Sequence, residues 1–515
     1  MKNFKIILAI LLCLAFLLPL FTACGKDSGN TDTNNTTIAD DDSGGETTTT
    51  PEEEKDPDAP NLSSVDMGGK VFTFLTQGWG SERGLSNDIV GEEQTVDPIN
   101  DAAFNRRVKI EQAYNCTLKI VNVASADDAV SSYRTSILAA DGAYDVAITA
   151  CTNFKSLLTG SYLTDFEELT YVDMDKPYWN KNFYETMSIM GKHYAADGDI
   201  SKRRLECVWI MAFNKDIISK NEFDSPYDLV KSGEWTYFKM HEMARAAASD
   251  LNGDGTMDFD NDLWGLNYTG DTIMGIINSS GVRIAEINSD GVPELVIGNA
   301  GYLEKLARIY EDMRNNDYSV DTLFSSLAGG VGKYGDVDIF SENRCLFLAC
   351  ASHNVAADTS EGASNTRSLR SMDVNLGIIP YPKWDASTPD YTPFTAGNYH
   401  PVLTVPKTNG DLDNTSIILE AMAYEGMKNI SPAFYENLLK TKTARDDESE
   451  AMIDFIFGNL NYDIGVMFDF GGILGEFGYN ASVNTRMNVV STIERSVGKW
   501  QKAIDKIVEE IEKGD

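Results

Sequence analysis

Histidine is scarce in this chain, with four in 515 residues (His193, His241, His353, His400), and they are scattered. No pair has metal-ligand spacing, and no H-E-x-x-H occurs, so a histidine-held catalytic metal is not indicated. Phosphate-binding G-x-x-x-x-G-K-S/T and nucleophile-elbow G-x-S-x-G motifs are also missing. One G-x-G-x-x-G, Gly330 to Gly335, has no clear strand before it or helix after it and reads as a loop. Basic residues are few: 43 Lys and Arg against 79 Asp and Glu give a net charge of -36. Such a field repels phosphate backbones, which argues against a nucleic-acid partner, and it also disfavours an anionic polysaccharide ligand. After the first two dozen residues no apolar run approaches the ~18–20 residues a membrane helix needs. Of seven cysteines, Cys116, Cys151, Cys207, Cys345 and Cys350 form an odd set in apolar surroundings, which suits buried hydrophobes better than a disulfide framework.

What is present starts with a leader. Lys2 and Lys5 precede an apolar stretch from Ile6 to Phe21, and Thr22-Ala23-Cys24 closes it with small residues. A cysteine directly after such a site resembles a lipobox, which implies cleavage of residues 1–24 and lipidation of Cys24. The alternatives are an ordinary signal peptide or an uncleaved anchor. Residues 25–61 are rich in Asp, Glu, Thr and Gly, have almost no apolar side chains and cannot form a core. They are expected to be a disordered acidic spacer.

The folded part opens with KVFTFLT (70–76), expected as a strand ending at Gln77-Gly78-Trp79. A helix over about 99–114, a strand CTLKIVNV (116–123), a helix over about 126–140 and a strand YDVAITA (144–150) follow. Alternating strands and helices predict a parallel sheet covered on both faces, with ligands beyond the carboxyl ends of its strands. That places Gln77, Trp79 and Cys151-Thr152-Asn153 beside any cleft. From Val208 the apolar run VWIMAF predicts a buried strand. Thr236 is placed to cap a helix bearing Tyr237, Met240, Ala244 and Ala247 as one stripe. Further on, strands are expected near 342–350 and 374–384, and helices at about 415–425, 432–440, 448–457 and 488–513.

The loop Asp250-Leu-Asn252-Gly-Asp254-Gly255-Thr256-Met-Asp258 puts hard oxygen donors at alternate positions, as in an EF-hand-type calcium loop. Asn261 stands where the bidentate glutamate belongs. A structural calcium on Asp250, Asn252, Asp254, Thr256 and Asp258 is expected, against the alternative of a metal-free Asx/Gly turn.

The order strand, F-N-K-D (213–216), G-E-W-T (233–236), helix, D-L-N-G-D-G (250–255), W-G (264–265) resembles bacterial extracellular solute-binding proteins of the carbohydrate-import type. YDVAITA, ENRCLFLA (342–349), LGIIPYPKW (376–384) and VPKTNGDLDNTSIILEAMAYE (405–425) fit the same pattern. The resemblance implies an α/β, two-lobe, type II periplasmic-binding fold with discontinuous lobes joined by crossing segments. Matching the crossings to Phe213-Asn214 and Pro380-Pro382 gives lobes of 62–213 with 383–430 and 214–382 with 431–515. It implies a non-enzymatic receptor on the outer face of the cytoplasmic membrane, passing a solute, by expectation an oligosaccharide, to ABC permease subunits. The same fold taking a peptide or another solute, or a secreted polysaccharide-acting enzyme, stay open as alternatives. Sugar faces stack on aromatic rings while hydroxyls take polar partners, so Gln77, Trp79, Trp179, Asp199, Trp209, His353 and Trp384 are the candidate ligand residues, with Tyr178 and Arg204 beside them. Core packing is the alternative for each aromatic. Trp235 and Trp264 are expected to be structural.

Overall fold

The structure is a computed structural model that describes residues 56–77, 88–91, 94, 97–314, 316–322, 337–356, 369, 373–397, 400–439, 446–479 and 488–514. The leader, Cys24, Trp79 and the glycine loop at 330–335 lie outside the described residues.

Eleven strands among the described residues are β1 (Lys70–Gln77), β2 (Cys116–Val123), β3 (Val146–Ala150), β4 (Trp209–Asn214), β5 (Trp264–Tyr268), β6 (Ala285–Ile287), β7 (Pro293–Leu295), β8 (Ser319–Asp321), β9 (Cys345–Ala351), β10 (Leu376–Ile379) and β11 (Pro401–Thr404). Two mixed sheets define two α/β lobes. The first runs β11-β3-β1-β2 and the second β10-β4-β9-β5-β8, with β6-β7 a separate hairpin.

In the first sheet β1 pairs in parallel with β2 and β3, while β11 closes the edge antiparallel to β3. Phe72 and Phe74 point to one face, packing in a cluster with Ile110 of the helix Pro98–Tyr114 and Ile418 and Met422 of the helix Leu412–Glu425. Leu75 turns the other way, toward Tyr133 and Ile137 of the helix Ala126–Ala139. Both faces are covered, as an interior parallel strand requires. In the second sheet β5 pairs in parallel with β8 and β9, and β4 is antiparallel to β9 and β10. Every residue of β4 and β9 is buried, which is why these strands read as unbroken apolar runs rather than alternating ones.

Helix ends follow local chemistry. Asp97 accepts from the Asn100 amide ahead of Pro98, and Thr236 accepts from the Lys239 amide to start Tyr237–Ala247, the cap expected from sequence.

The crossings between lobes differ from the sequence-based positions. β4, expected to end the first lobe at Phe213, lies inside the second sheet, so the chain has already crossed. The outgoing segment leaves the first sheet at Ala196, which bridges Leu403, and reaches the second where Val208 bridges Thr395. The returning segment uses those same partners, so the crossings pair antiparallel with each other. A third connection is helical: Leu412–Glu425, packed on the first sheet, runs through a π-helical stretch Gly426–Ile430 into Ser431–Leu439. An apolar run has the same pattern in either sheet, which is why pattern alone misplaced β4.

The body also starts earlier than composition suggested. Asp56 accepts from Tyr424 Oη at 2.8 Å and pairs with Lys428 at 2.7 Å, while Lys176 donates to the carbonyls of Pro57 and Ala59. Residues 56–61, read as spacer, are therefore partly fixed to the first lobe by their carboxylates and carbonyls, a mode hydropathy does not detect.

Candidate ligand-binding site at the junction of the two sheets

The carboxyl ends of both sheets meet at the crossing segments. Cys151 follows the last residue of β3, and its amide donates to the carbonyl of His400, which precedes β11. Trp209 opens β4 opposite Ala351, the last residue of β9, and its amide donates to the carbonyl of Phe394. Phe394 thus lies at the carboxyl end of β9 and His400 at that of β3. Sheets of this kind bind ligands beyond these ends.

At the first sheet Gln77 is buried, and its Oε1 accepts from the Ala150 amide at 3.0 Å, tying the ends of β1 and β3 together. It forms the floor of the edge by holding backbone. At the second sheet Trp209 lies 5% exposed, with its ring and that of Tyr381 close above Gly275. A Cβ at Gly275 would come within 3.0 Å of the Tyr381 ring, so the helix Ile273–Ser279 approaches this edge only with glycine there. His353 follows β9, its Nδ1 3.2 Å from the Glu206 carbonyl. Gln77 therefore sits at the carboxyl end of the first sheet, and Trp209 and His353 sit at the carboxyl end of β9 in the second. A groove of about 450 Å³ opens between the helices Ala126–Ala139 and Cys151–Leu158, lined by Asp127, Arg134, Asn153 and Ser156 among others.

Three expected ligand residues are employed elsewhere. Trp179 is core: its Nε1 donates to Glu420 Oε2 at 2.7 Å, beside Tyr178, whose hydroxyl donates to Glu420 Oε1. Burial raises the Glu420 carboxyl above its ordinary value, against those donors. Asp199 is 3% exposed and its carboxylate pairs with Arg204 and accepts from Ser431 Oγ, so it braces the outgoing crossing against the third connection. Trp384 stacks on Tyr237 at 5.0 Å between ring centres, with the Lys305 ammonium over it. Trp179 and Trp384 have partners far along the chain, and so does Asp199 in Ser431, whereas Arg204 is only five residues from Asp199. Trp235 and Trp264 are structural, donating to the carbonyls of Pro380 and Asp258.

Sequence reasoning missed the polar set around the crossings. Arg106 is buried, and its guanidinium donates to the carbonyls of Asp88, Ile89, Ile200 and Met422. Burial pushes it down to about 10. Glu206 is held down to about 2: burial raises it, and Lys202 and Arg203 more than offset that. His400 and Asp197 meet between the crossings, 3.3 Å apart. Sequence offered one weak signal, a lone histidine directly before a strand.

In the oxygen-rich loop the carboxylates are turned onto the loop's own amides. Asp250 accepts from Gly253 and Gly255, Asp254 from Thr256, and Asp258 from Asp260 and Asn261. Buried Asp262 staples the loop by accepting from Leu251 and Asp258. The Asn252 amide nitrogen lies 3.0 Å from Asp254 Oδ2 and 3.4 Å from Asp258 Oδ2. Among the described residues no group of three or more His, Cys, Asp or Glu is placed to hold a metal.

No protein-family model matches the chain, and no curated protein matches it. Solved structures do. A sugar transporter from Rhizobium etli in an open conformation superposes with a TM-score of 0.54 at 14% identity, over 84% of this chain and 99% of that one. The galacto-N-biose/lacto-N-biose I-binding protein of the ABC transporter from Bifidobacterium longum, in complex with lacto-N-biose, gives 0.54 at 13%, over 87% and 98%. An ABC substrate-binding protein from Listeria monocytogenes, in complex with cycloalternan, gives 0.51 at 13%, over 86% and 99%. At these identities the likeness establishes the fold: this chain has the two-lobe α/β fold of ABC-transporter solute-binding proteins.

Proposed function

We propose that the protein is a lipid-anchored extracellular receptor that captures a neutral oligosaccharide and delivers it to the permease subunits of an ABC importer. The observation that carries this reading is the junction itself: the carboxyl ends of two sheets converge on paired crossing segments, in a fold shared with sugar-binding proteins of ABC transporters. Such segments allow hinge closure of two lobes around a solute. The strongly acidic chain favours an uncharged sugar over an anionic one. Trp79 follows buried Gln77 by two residues and is proposed as a stacking platform, with Trp209 and His353 across the junction. Cys24 is the proposed lipid-bearing terminus, supported by the leader before it. The loop 250–258 is proposed to take calcium in a structural role, supported by its alternating oxygen donors.

A panel of neutral oligosaccharides, read by tryptophan emission and calorimetry with product analysis, tests the function. Micromolar binding without turnover is expected, about -8 kcal/mol. Trp79→Ala should weaken it by ~1–3 kcal/mol, by analogy with base stacking on aromatic side chains. New reducing ends would establish an enzyme, and binding of peptides alone would leave a receptor for another solute. Cys24→Ser should release the protein from washed membranes, and its full retention there would end the anchor proposal.

A further inference from the structure

The helix Ala126–Ala139 carries Asp127, Ser131, Arg134 and Leu138 at i, i+4, i+7 and i+11. That spacing sets them in a row along one face, ~16 Å from end to end. Beside the row stand Asn153 and Ser156 of the helix Cys151–Leu158, and these residues together line the groove of about 450 Å³. Ligand sites have volumes of ~300–1,000 Å³. Both helices begin at the carboxyl edge of the first sheet, one at Ala126 after β2 ends at Val123, the other at Cys151 directly after β3. The groove thus starts where such sheets take ligands. Its Asn153 end lies two residues from Cys151, whose amide donates to the His400 carbonyl at the returning crossing.

Bonding sets the lining apart from its neighbours. At the two ends of the same helix the polar groups are spent locally, Ser125 on Asp128 and Ser136 on Asp141. Along the groove, the Asp127 carboxylate, the Ser131 hydroxyl and the Asn153 amide nitrogen have no hydrogen-bond partner among the described residues. The Arg134 guanidinium lies 5.5 Å from the centre of the Tyr162 ring and has no carboxylate among those residues. Acceptor, hydroxyl and donor therefore follow one another along the row. Val130 and Leu138, the latter 71% exposed, add apolar surface, and no aromatic ring lines the groove. One carboxylate and one guanidinium cancel, so the groove does not select an ion. A chain of hydroxyls joined by C–H faces matches this lining, because each hydroxyl both donates and accepts. A single sugar ring is too short to reach from Asp127 to Leu138.

We propose that this groove is the first-lobe subsite for a linear, uncharged oligosaccharide, with Asp127, Ser131 and Asn153 taking successive hydroxyls. The assignment rests on the receptor reading and extends its site from the crossings along the first lobe. Calorimetry on the full chain tests it with ladders of linear neutral oligosaccharides, from single sugars to chains longer than the groove. Affinity should rise about tenfold or more between one ring and a chain that spans the row, then level off. Asn153→Ala should weaken the spanning chain about tenfold by removing a hydrogen-bond donor. Ser131→Trp, at an exposed helix position, should fill the groove and erase the gain with length. Ser131→Lys serves as the block if the tryptophan variant unfolds at lower urea than wild type. Sugar binding by wild type that ignores chain length, or that both folded variants reproduce, would overturn the groove and leave the receptor standing. No binding of any sugar by wild type would overturn the receptor reading and the groove with it.

Discussion

Gly426→Ala should destabilise the protein although the residue is helical. Gly426 sits at φ -66 and ψ -45, where alanine is the better helix former by ~1 kcal/mol. Space decides the opposite sign. A Cβ there would lie 1.7 Å from the Asp199 carbonyl oxygen and 2.7 Å from its carbon, and both are backbone atoms that no rotamer can move. An unstrained C···O contact is about 3.3 Å, so the third connection must retreat from the outgoing crossing by more than an ångström. That retreat strains the Ser431 bond to Asp199 and the Met422 carbonyl's bond to Arg106. Overpacking costs ~1–3 kcal/mol and each weakened buried hydrogen bond ~1 kcal/mol or more, so the net loss after the propensity gain is about 3 kcal/mol. The folded-to-unfolded ratio should fall about 100-fold, read as a lower urea midpoint at unchanged slope. Gly498→Ala is the control: it lies within the helix Val489–Gly514, a Cβ meets nothing within 4 Å, and a gain of up to ~1 kcal/mol is expected. If Gly426→Ala matches wild type while Gly498→Ala behaves as stated, the close approach of these two segments is refuted.

Burial pushes His241 down to about 4 from 6.5, so the folded state keeps it neutral where the unfolded chain takes a proton. Its contribution is complete above pH 6.5 and is lost as pH falls toward 4, by up to ~3 kcal/mol. His241→Phe should flatten the fall in urea midpoint between pH 7 and 5; parallel profiles would dismiss this source. Trp179→Phe should cost ~1.5–3 kcal/mol by removing a donor from buried Glu420 while leaving solute affinity unchanged. A tenfold loss of affinity in a folded variant would return Trp179 to the ligand site. Chelation should lower the melting temperature, and calcium at tenfold excess over Kd should restore about 1.4 kcal/mol. Asp254→Ala should abolish that difference, and identical melting of metal-free protein with and without calcium would remove the metal.

The sequence by itself determined the local elements. The aromatic and branched residues of KVFTFLTQ and a capping threonine before Tyr237 act through neighbours a few residues away, so strand and helix follow from the residues alone. The ordered motifs were also enough for the two-lobe α/β fold. Tertiary structure decided which sheet received β4, because WIMAFN is apolar on both faces and its partners in β9 and β10 lie well over a hundred residues on. It decided the fate of polar side chains in the same way. Trp179 and Asp199 resembled binding groups until Glu420, Arg204 and Ser431 occupied them, and His400 resembled a stray histidine until Asp197 and Thr395 did. Burying a polar group is tolerated only with a partner, and the partner is chosen by packing rather than by sequence neighbourhood.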